Sequence, residues 1–211
     1  MASTITQKKP MLIESVGALY YAFNKMTETG EYNSAEYDAT IKSNVVKKIG
    51  TTDNSESTTI RASGEDYEVV NQVSSIENSV EVVAIDPEDL AKMKGEDVDD
   101  SGLMLGGAPA KRPFFAFGKV VKKVGEGLQF VWYPKCQLVE NTEEASTSEE
   151  TYSEQNTTIT IKAFSFDDKG HKKVYVDSET KNFPAGLTEQ NFFESVIVNK
   201  EGLAAAAAKK V

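Results

Sequence analysis

One cysteine and one histidine occur among the 211 residues, and this scarcity excludes several kinds of chemistry. Cys136 has no second cysteine with which to form an intrachain disulfide. Zinc sites and thiol–imidazole catalysis need a fuller set of such side chains than Cys136 and His171 provide. We therefore predict that Cys136 is a buried strand residue and that His171, in the polar run DDKGHKK, is a solvated loop residue.

Long apolar runs are equally scarce. No stretch approaches the roughly 20 apolar residues of a membrane-spanning helix. The short apolar run after Lys8 and Lys9 is interrupted by Glu14, so it does not match a signal peptide. These observations predict a protein that is made and folded in a cytoplasm, without membrane insertion.

Basic residues are outnumbered, with 23 Lys and Arg against 33 Asp and Glu and a formal charge of -10. A chain this acidic repels nucleic acid rather than gripping it, although DNA could pass it without adhering. The length suits one large domain, or one domain with extended arms. Ten Phe and eight Tyr can fill its core although only 39% of the residues are hydrophobic.

Motifs that bind phosphate or calcium are missing or incomplete. Neither a P-loop nor a dinucleotide-binding glycine motif is present, and Gly106-Gly107 is interpreted as part of a flexible loop. The stretch from Asp97 to Gly102 matches the first half of an EF-hand calcium loop, with Asp99 and Ser101 as further ligands. Ala108 stands where the bidentate Glu belongs, so an acidic surface loop is the favoured interpretation.

Paired carboxylates are the remaining catalytic candidates. They lie in polar stretches without the apolar surroundings that would raise the pKa of a general acid. We therefore predict no catalytic residues, no cofactor and no metal site. The pairs are Glu143/Glu144, Glu149/Glu150 and Asp167/Asp168.

The pattern of strands predicts a mainly β protein. The strongest signal is Phe114 to Leu138, two apolar arms around Gly125-Glu126-Gly127, which is typical of a long antiparallel hairpin. Ser15 to Phe23 is apolar on both alternating sets, as in a strand covered on both faces. Alternation predicts half-buried strands at residues 158–166 and 67–85. Shorter strands are predicted at Val45 to Ile49, Thr58 to Ala62 and Lys172 to Val176.

One helix carries complete start and stop signals. Asp86 is the predicted cap, Pro87 is the first helical residue, and Gly95 follows the last, so the helix ends near Lys94. Leu90 and Met93 are its expected packing contacts. A weak helical pattern spans Thr188 to Val196, and the alanine-rich end from Leu203 to Val211 is interpreted as a frayed helix or a disordered tail.

Polar segments separate these elements and are predicted to be loops. Thr51 to Ser57 (TTDNSES) is assigned to a loop from its composition, and Asn141 to Asn156 is acidic with no basic residue. Asn24 to Asn44 is predicted to hold loops with at most short strands. Glu96 to Arg112 is an acidic and then Gly/Pro-rich connection.

The order of these elements resembles the major tail tube proteins of long, non-contractile phage tails, particularly of phages that infect Gram-positive bacteria. The resemblance covers roughly residues 15–198. It is carried by Leu19-Tyr20-Tyr21-Ala22, Ala62-Ser63-Gly64-Glu65-Asp66-Tyr67-Glu68, Asp86-Pro87-Glu88-Asp89-Leu90-Ala91 with its glycine-ended helix, Pro113-Phe114-Phe115-Ala116-Phe117-Gly118, Phe130-Val131-Trp132-Tyr133-Pro134-Lys135, and the strand from Thr158 to Ala163 after an acidic loop.

The resemblance implies a β-sandwich or barrel with one flanking helix, long loops and terminal arms. The expected organisation is an N-terminal arm over 1–14, a tail-tube domain over 15–198 and a C-terminal arm or disordered tail over 199–211. Six copies would close into a ring, and rings would stack into a tube in the virion that conducts double-stranded DNA without sequence-specific binding. Tape-measure, tail-terminator and distal-tail proteins are the other implied partners.

Two sets of residues follow as candidates for roles in such a tube. Segments that bridge neighbouring rings are expected within Ser34 to Ser57 and in the tail after Val198. The polar stretch Thr51, Thr52, Asp53 and Asn54 is the specific candidate. Glu77, Ser79 and Glu81 alternate onto one wet strand face and could line an acidic lumen, with an ordinary solvated outer face as the alternative.

Two other functions are compatible with the sequence. One is a tube of a contractile tail, a tailocin or a secretion system, which shares the ring-forming fold. The other is a monomeric β-sandwich binding module, for instance for carbohydrate. Such a module would expose aromatic side chains at an open site, and Trp132 and Tyr133 are the candidates, although Trp132 also suits a strand core.

Overall fold

The structure is a computed structural model that describes residues 7–27, 30–107, 111–147 and 154–209, without the side chains at 71 and 72. The described part is mainly β, as predicted, with three short helices. The elements are β1 Ile13–Phe23, β2 Ile41–Ser43, β3 Val46–Ala62, β4 Glu65–Val82, α1 Pro87–Lys94, β5 Asp97–Val98, β6 Met104–Leu105, β7 Phe115–Lys123, β8 Gly127–Glu143, β9 Thr157–Ala163, β10 Val174–Asp177, α2 Glu189–Phe193 and α3 Lys200–Ala208.

One antiparallel sheet contains most of the strands, in the order β2-β1-β7-β8-β9-β4-β3, and β10 also pairs with β8. β5 and β6 form a separate two-stranded ribbon. β1 and β3 are far apart in the strand order, yet they lie against each other. The sheet is therefore curled towards a barrel, with a concave and a convex face.

The concave face encloses the larger core. Every second residue of the central strands points into it, as the pleat requires. Helix α1 closes one end of this core with Leu90 and Met93. The other members include Leu19, Tyr21, Phe23, Ile76, Val80, Val82, Phe115, Phe117, Val131, Tyr133, Ile159 and Ile161.

A second core covers the convex face of β1, β7 and β8. Phe192 and Phe193 of α2 and Ala206 of α3 pack there on the intervening residues of the same three strands. Tyr20 stacks on Phe193 with the ring centroids 4.0 Å apart, and Trp132 lies 5.1 Å from the same ring. The prediction that Ser15 to Phe23 forms a strand covered on both faces is confirmed from Ala18 onward.

Two sequence predictions are confirmed in detail. The long hairpin forms as β7 and β8, with Gly125 and Glu126 at φ 82° and 66° in the turn. In α1, Asp86 accepts hydrogen bonds from the amides of Glu88 and Asp89, and Gly95 ends the helix in the left-handed conformation. Leu90 and Met93 are buried as expected.

The prediction of a loop at Thr51 to Ser57 was wrong. These residues continue β3 without interruption and pair with β4, so the short strands predicted on either side of them are one strand of 17 residues. The segment has no apolar alternation because most of its side chains are exposed. It is held as a strand by main-chain hydrogen bonds to β4, and composition does not report such pairing.

The ends of other elements differ from the predicted ones by fewer residues. β8 extends to Glu143, into the stretch predicted to be a polar loop, while residues 148–153 of that stretch lie outside the described part. The helix predicted over Thr188 to Val196 is shorter than expected, because α2 contains only the five residues Glu189–Phe193. The alanine-rich end forms α3, and the Asn191 side-chain amide donates to the carbonyl of Lys209 at 2.9 Å. This segment is therefore docked on its own domain.

Candidate assembly surfaces

The residues with reactive chemistry have structural surroundings. Cys136 is completely buried in β8, and burial raises the pKa of its thiol. His171 is exposed, and its Nδ1 lies 2.5 Å from a carboxylate oxygen of Asp167, which contributes to holding the pKa of that carboxyl below its usual value. Both residues lie where the sequence predicted them.

The described residues contain no cluster of three His, Cys, Asp or Glu side chains suited to a metal ion. Asp97 lies in β5, and Asp99 accepts from the amide of Ser101 in a tight turn. Ala108, the twelfth position of the calcium-loop match, lies outside the described residues, as does the pair Glu149/Glu150. No helix in the described ranges is long and apolar enough to cross a membrane.

The aromatic candidates for a binding module are core residues. Trp132 is fully buried in the convex core, where its indole Nε1 donates to the carbonyl of Phe192 at 3.3 Å. Tyr133 faces the concave core and stacks near Phe117 with a centroid distance of 5.8 Å. Neither ring forms an exposed platform, so the site expected of a monomeric binder is not formed by these two residues.

The predicted lumen candidates lie together on the convex side of β4. Glu77 pairs with Lys162 of β9 at 3.5 Å, and Glu81 accepts from the Asn156 amide at 3.0 Å. Ser79 lies between them and is exposed. Ile76, Val80 and Val82 are buried on the opposite face. The half-buried strand predicted over Tyr67 to Ile85 is confirmed from Ile76 to Val82, whereas the described residues from Tyr67 to Val73 are exposed on both faces. The lumen role itself stays a prediction.

The four candidates for bridging rings lie in the middle of β3 and point to opposite sides of it. Thr51 lies opposite the buried Asn78 and hydrogen bonds to it at 2.7 Å, on the concave side. Asp53 shares that face and pairs with Lys173 at 3.0 Å. Thr52 lies opposite Glu77, so it belongs to the convex, wet face with Asn54. The bridging role of these residues stays a prediction.

Beyond these residues β3 and β4 leave the rest of the sheet as a two-stranded ribbon, Ser55 to Val73, which we call the arm. Within the described chain its strands pair only with each other, through a turn at Ser63 and Gly64 with φ of 54° and 87°. Every arm side chain that the structure describes is exposed, and none of them belongs to either core. The exposed side chains include large apolar ones: Ile60, Tyr67, Val69, Val70 and Val73.

The end of the arm carries unpaired negative charge. Arg61 and Asp66 form an ion pair at 2.8 Å on one side of the ribbon. Glu65 lies opposite Ala62 and Glu68 lies opposite Ile60, because the register shifts by one residue between Ile60 and Arg61. Cross-strand partners share a face, so both glutamates lie on the other side of the ribbon. Neither of these two glutamates forms an ion pair with another described residue. The arm therefore ends in two free carboxylates beside an exposed apolar side chain.

A cationic cavity opens at the end of the concave core opposite α1, and we call it the mouth pocket. Its volume is about 310 Å³. Lys119 of β7 follows Phe115 and Phe117 on the concave face and is 9% exposed. A second cavity of about 420 Å³ shares Thr51, Lys119 and Gln129 and extends the opening between β1 and β3. The mouth pocket is lined by Thr51, Lys119, Gln129, Val131, Tyr133, Lys173 and Tyr175.

Lys119 has an unusual environment for a lysine. Its ammonium group donates to the Thr51 hydroxyl and lies 5.6 Å from the centre of the Tyr133 ring, and it pairs with no carboxylate of the described residues. Burial, reinforced by the nearby charge of Lys173, lowers the pKa of Lys119 to about 8. The pocket thus holds a costly positive charge that a carboxylate from outside could stabilise.

Sequence reasoning missed the mouth pocket. Lys119 lies in the stretch Gly118 to Lys123, where three lysines suggest a solvated strand. Strand alternation is the pattern that predicts the position of Lys119, since Phe115, Phe117 and Lys119 share a face in any regular strand. Lys173 joins from before β10, and no local pattern links it to β7.

A third opening lies beside α2, where a polar network joins the helix to the sheet. Glu189 accepts hydrogen bonds from the Tyr20 hydroxyl and from Lys42 at 2.8 Å. These contacts hold the pKa of the Glu189 carboxyl below its usual value despite partial burial. Tyr20, Lys42 and Glu189 are thus paired with one another, and we interpret this groove as a structural junction.

The chain was compared with protein families, curated proteins and solved structures. No protein-family model matches the chain, and no curated protein matches it by sequence. Among solved structures, a chain of the cryo-EM structure of the anti-feeding prophage (AFP) baseplate, 6-fold symmetrised, is similar with a TM-score of 0.40 and 8% identity. The match covers 82% of this chain and 97% of that one.

Proposed function

We propose that this protein is the structural subunit of a phage tail tube, in which hexameric rings stack around a lumen that conducts DNA during ejection. The observation that carries the proposal is the arm. A ribbon of this length with exposed apolar side chains and free strand edges is a template for pairing with another chain. A monomer leaves that surface unused, whereas a polymer covers it.

The body of the domain supports the same proposal. Its concave face is filled by side chains, so one copy cannot enclose a duplex about 20 Å wide. A lumen of that size needs a barrel of more than twenty strands, which several copies must share. The wet face with Glu77 and Glu81 would supply negative charge to such a lumen, so that DNA would not adhere.

Other proteins of a tail would complete the assembly. Tape-measure, tail-terminator and distal-tail proteins are the partners that the sequence resemblance implies, and the finished tube would be part of the virion. A tube of a contractile tail, a tailocin or a secretion system would use the same surfaces.

Negative-stain electron microscopy of the purified protein over a range of concentrations tests the proposal. We expect six-fold rings or tubes at high concentration. A matched control replaces Ser55–Ser74 by an Asn-Gly turn, which favours tight hairpins and preserves the pair Asn54 and Ser75 at the base of the arm. This variant should fold and stay monomeric. A wild-type protein that stays monomeric at every concentration and salt would contradict the proposal.

A further inference from the structure

We propose that the end of the arm of one copy binds in the mouth pocket of a neighbouring copy, where Lys119 and Lys173 receive the carboxylates of Glu65 and Glu68. The occupant is thus a second copy of this chain. The inference rests on the self-assembly proposed above and specifies which surfaces meet. Each copy would offer one arm and one pocket, so the contact is head-to-tail and can propagate into a stack.

The charges of the two surfaces are complementary. The protein is acidic overall, and the mouth pocket is a concave site where two lysines converge. Lys173 is already paired with Asp53, whereas Lys119 is nine-tenths buried with a hydroxyl as its acceptor. Glu65 and Glu68 are the reverse case, since they are exposed and unpaired at the end of a ribbon. Contact between them would give Lys119 a carboxylate partner and would give Lys173 a second one beside Asp53, and such charge-assisted hydrogen bonds are stronger than those to a neutral hydroxyl.

The apolar parts of the two surfaces also match. Val131, Tyr133 and Tyr175 line the pocket beside the lysines, and Tyr175 is 57% exposed. On the arm, Ile60 and Val70 lie on the same face as the two glutamates. Val131 and Tyr133 are already buried in their own chain, so the apolar surface removed from water would be that of Tyr175, Ile60 and Val70. Its burial adds a favourable term that does not depend on salt.

The arm cannot reach the pocket of its own chain. Thr51 lines the pocket, and Ala62, opposite Glu65, lies eleven residues further along the same strand. At about 3.4 Å per residue the end of the arm is roughly 37 Å from the pocket at its base. Bending back would break the ladder between β3 and β4. The same length limits the spacing of successive copies, so the axial repeat of a stack should not exceed about 40 Å.

Engineered cysteines test the contact directly, because the single native cysteine, Cys136, is buried. One sample carries Ala62→Cys, which lies opposite Glu65 on the same face of the arm, and the other carries Tyr175→Cys at the pocket rim, so both carboxylates and both lysines are kept. After mixing and mild oxidation, we expect disulfide-linked heterodimers to form at least tenfold faster than with the matched control Glu126→Cys. Glu126 is an exposed residue in the turn between β7 and β8. Equal rates for the two mixtures would overturn the inference.

Charge variants separate this inference from the proposed function. Lys119→Met should slow the heterodimer formation at least tenfold, while Lys169→Met, which alters an exposed lysine outside the pocket, should not. If tubes form and Lys119→Met leaves both tubes and cross-linking unchanged, the inference is wrong and the proposed function stands. If cross-linking is specific and no rings form under any condition, the contact is real and the tube proposal is wrong.

Discussion

Lys119 donates a hydrogen bond to Thr51 at the open end of the concave core, and this neutral hydroxyl takes the place that a carboxylate would normally hold. Tyr133, Tyr175, Lys173 and Asp53 surround the ammonium group from the neighbouring strands and the loop before β10. The arrangement costs stability in the isolated chain. It is the kind of cost that proteins carry at sites of function.

Replacing Lys119 by Met should stabilise the monomer. The pKa of Lys119 falls from 10.5 to about 8 on folding. At about 1.4 kcal/mol per pKa unit, the charged side chain therefore lowers the free energy of unfolding by about 3 kcal/mol below pH 8. Above pH 8 the folded chain binds fewer protons than the unfolded chain, so the stability of the wild type rises with pH until 10.5.

Urea denaturation at several pH values measures this effect. The free energy of unfolding of Lys119→Met should exceed that of the wild type by about 2–3 kcal/mol at pH 7. The gap should shrink as the pH approaches 10.5. Lys169→Met serves as the control and should leave the free energy of unfolding within about 0.5 kcal/mol. A gap that does not change with pH would show that packing rather than charge causes the difference.

Gly118→Ala should be strongly destabilising. A Cβ at this position would lie 2.7 Å from Cε1 of Phe193 and 2.9 Å from Cε3 of Trp132, both in the convex core. Overpacking of this kind costs about 1–3 kcal/mol or more. Gly50→Ala is the matched control, because the nearest atom to its Cβ would be the Ser79 carbonyl at 4.0 Å. Thermal unfolding of the two variants should differ by several degrees, and equal midpoints would contradict the packing described here.

Amide hydrogen exchange should divide the molecule into two parts. In the monomer, amides of the arm should exchange far faster than those of β7 and β8, since the arm has no core to resist local opening. Assembly should slow exchange along the arm and around Lys119. Protection confined to the body of the domain in assembled material would argue against a role for the arm.

Charge reversal of Glu77 and Glu81 together tests the lumen. Both side chains are partly exposed and outside the cores, so assembly should be preserved. In virions built from Glu77→Lys/Glu81→Lys subunits, DNA ejection should slow, because the added lysines would attract phosphate. Glu126→Lys/Asp168→Lys, which changes the net charge by the same amount at two exposed residues away from this face, is the control. Unchanged ejection kinetics would place this face on the outside of the tube.

The sequence predicted those parts of the fold that are specified locally. In β9, Ile159 and Ile161 alternate with polar residues, and Asp86, Pro87 and Gly95 define α1 by the chemistry of its ends. The hairpin of β7 and β8 follows from apolar strands around a turn with positive φ values. In each case the signal lies within the element itself or its flanking residues.

The parts that sequence reasoning missed depend on distant residues. Thr51 to Ser57 is a strand because β4 lies beside it, and the exposed side chains leave no alternation to detect. The mouth pocket requires Lys119 and Lys173, which come together only when β10 pairs with β8. By contrast, the alternation of Glu77 and Glu81 with buried residues is local, so it predicts that both lie on the wet face of β4.

The two cores on opposite faces of β7 have a consequence for how this chain can evolve. Residues of β7 alternate between the cores, so one inserted residue would send every later side chain of the strand to the wrong side of the sheet. Substitutions that keep volume should be tolerated there, whereas single insertions or deletions should be eliminated. In the arm, by contrast, one extra residue pair per strand would lengthen the ribbon and leave both cores intact.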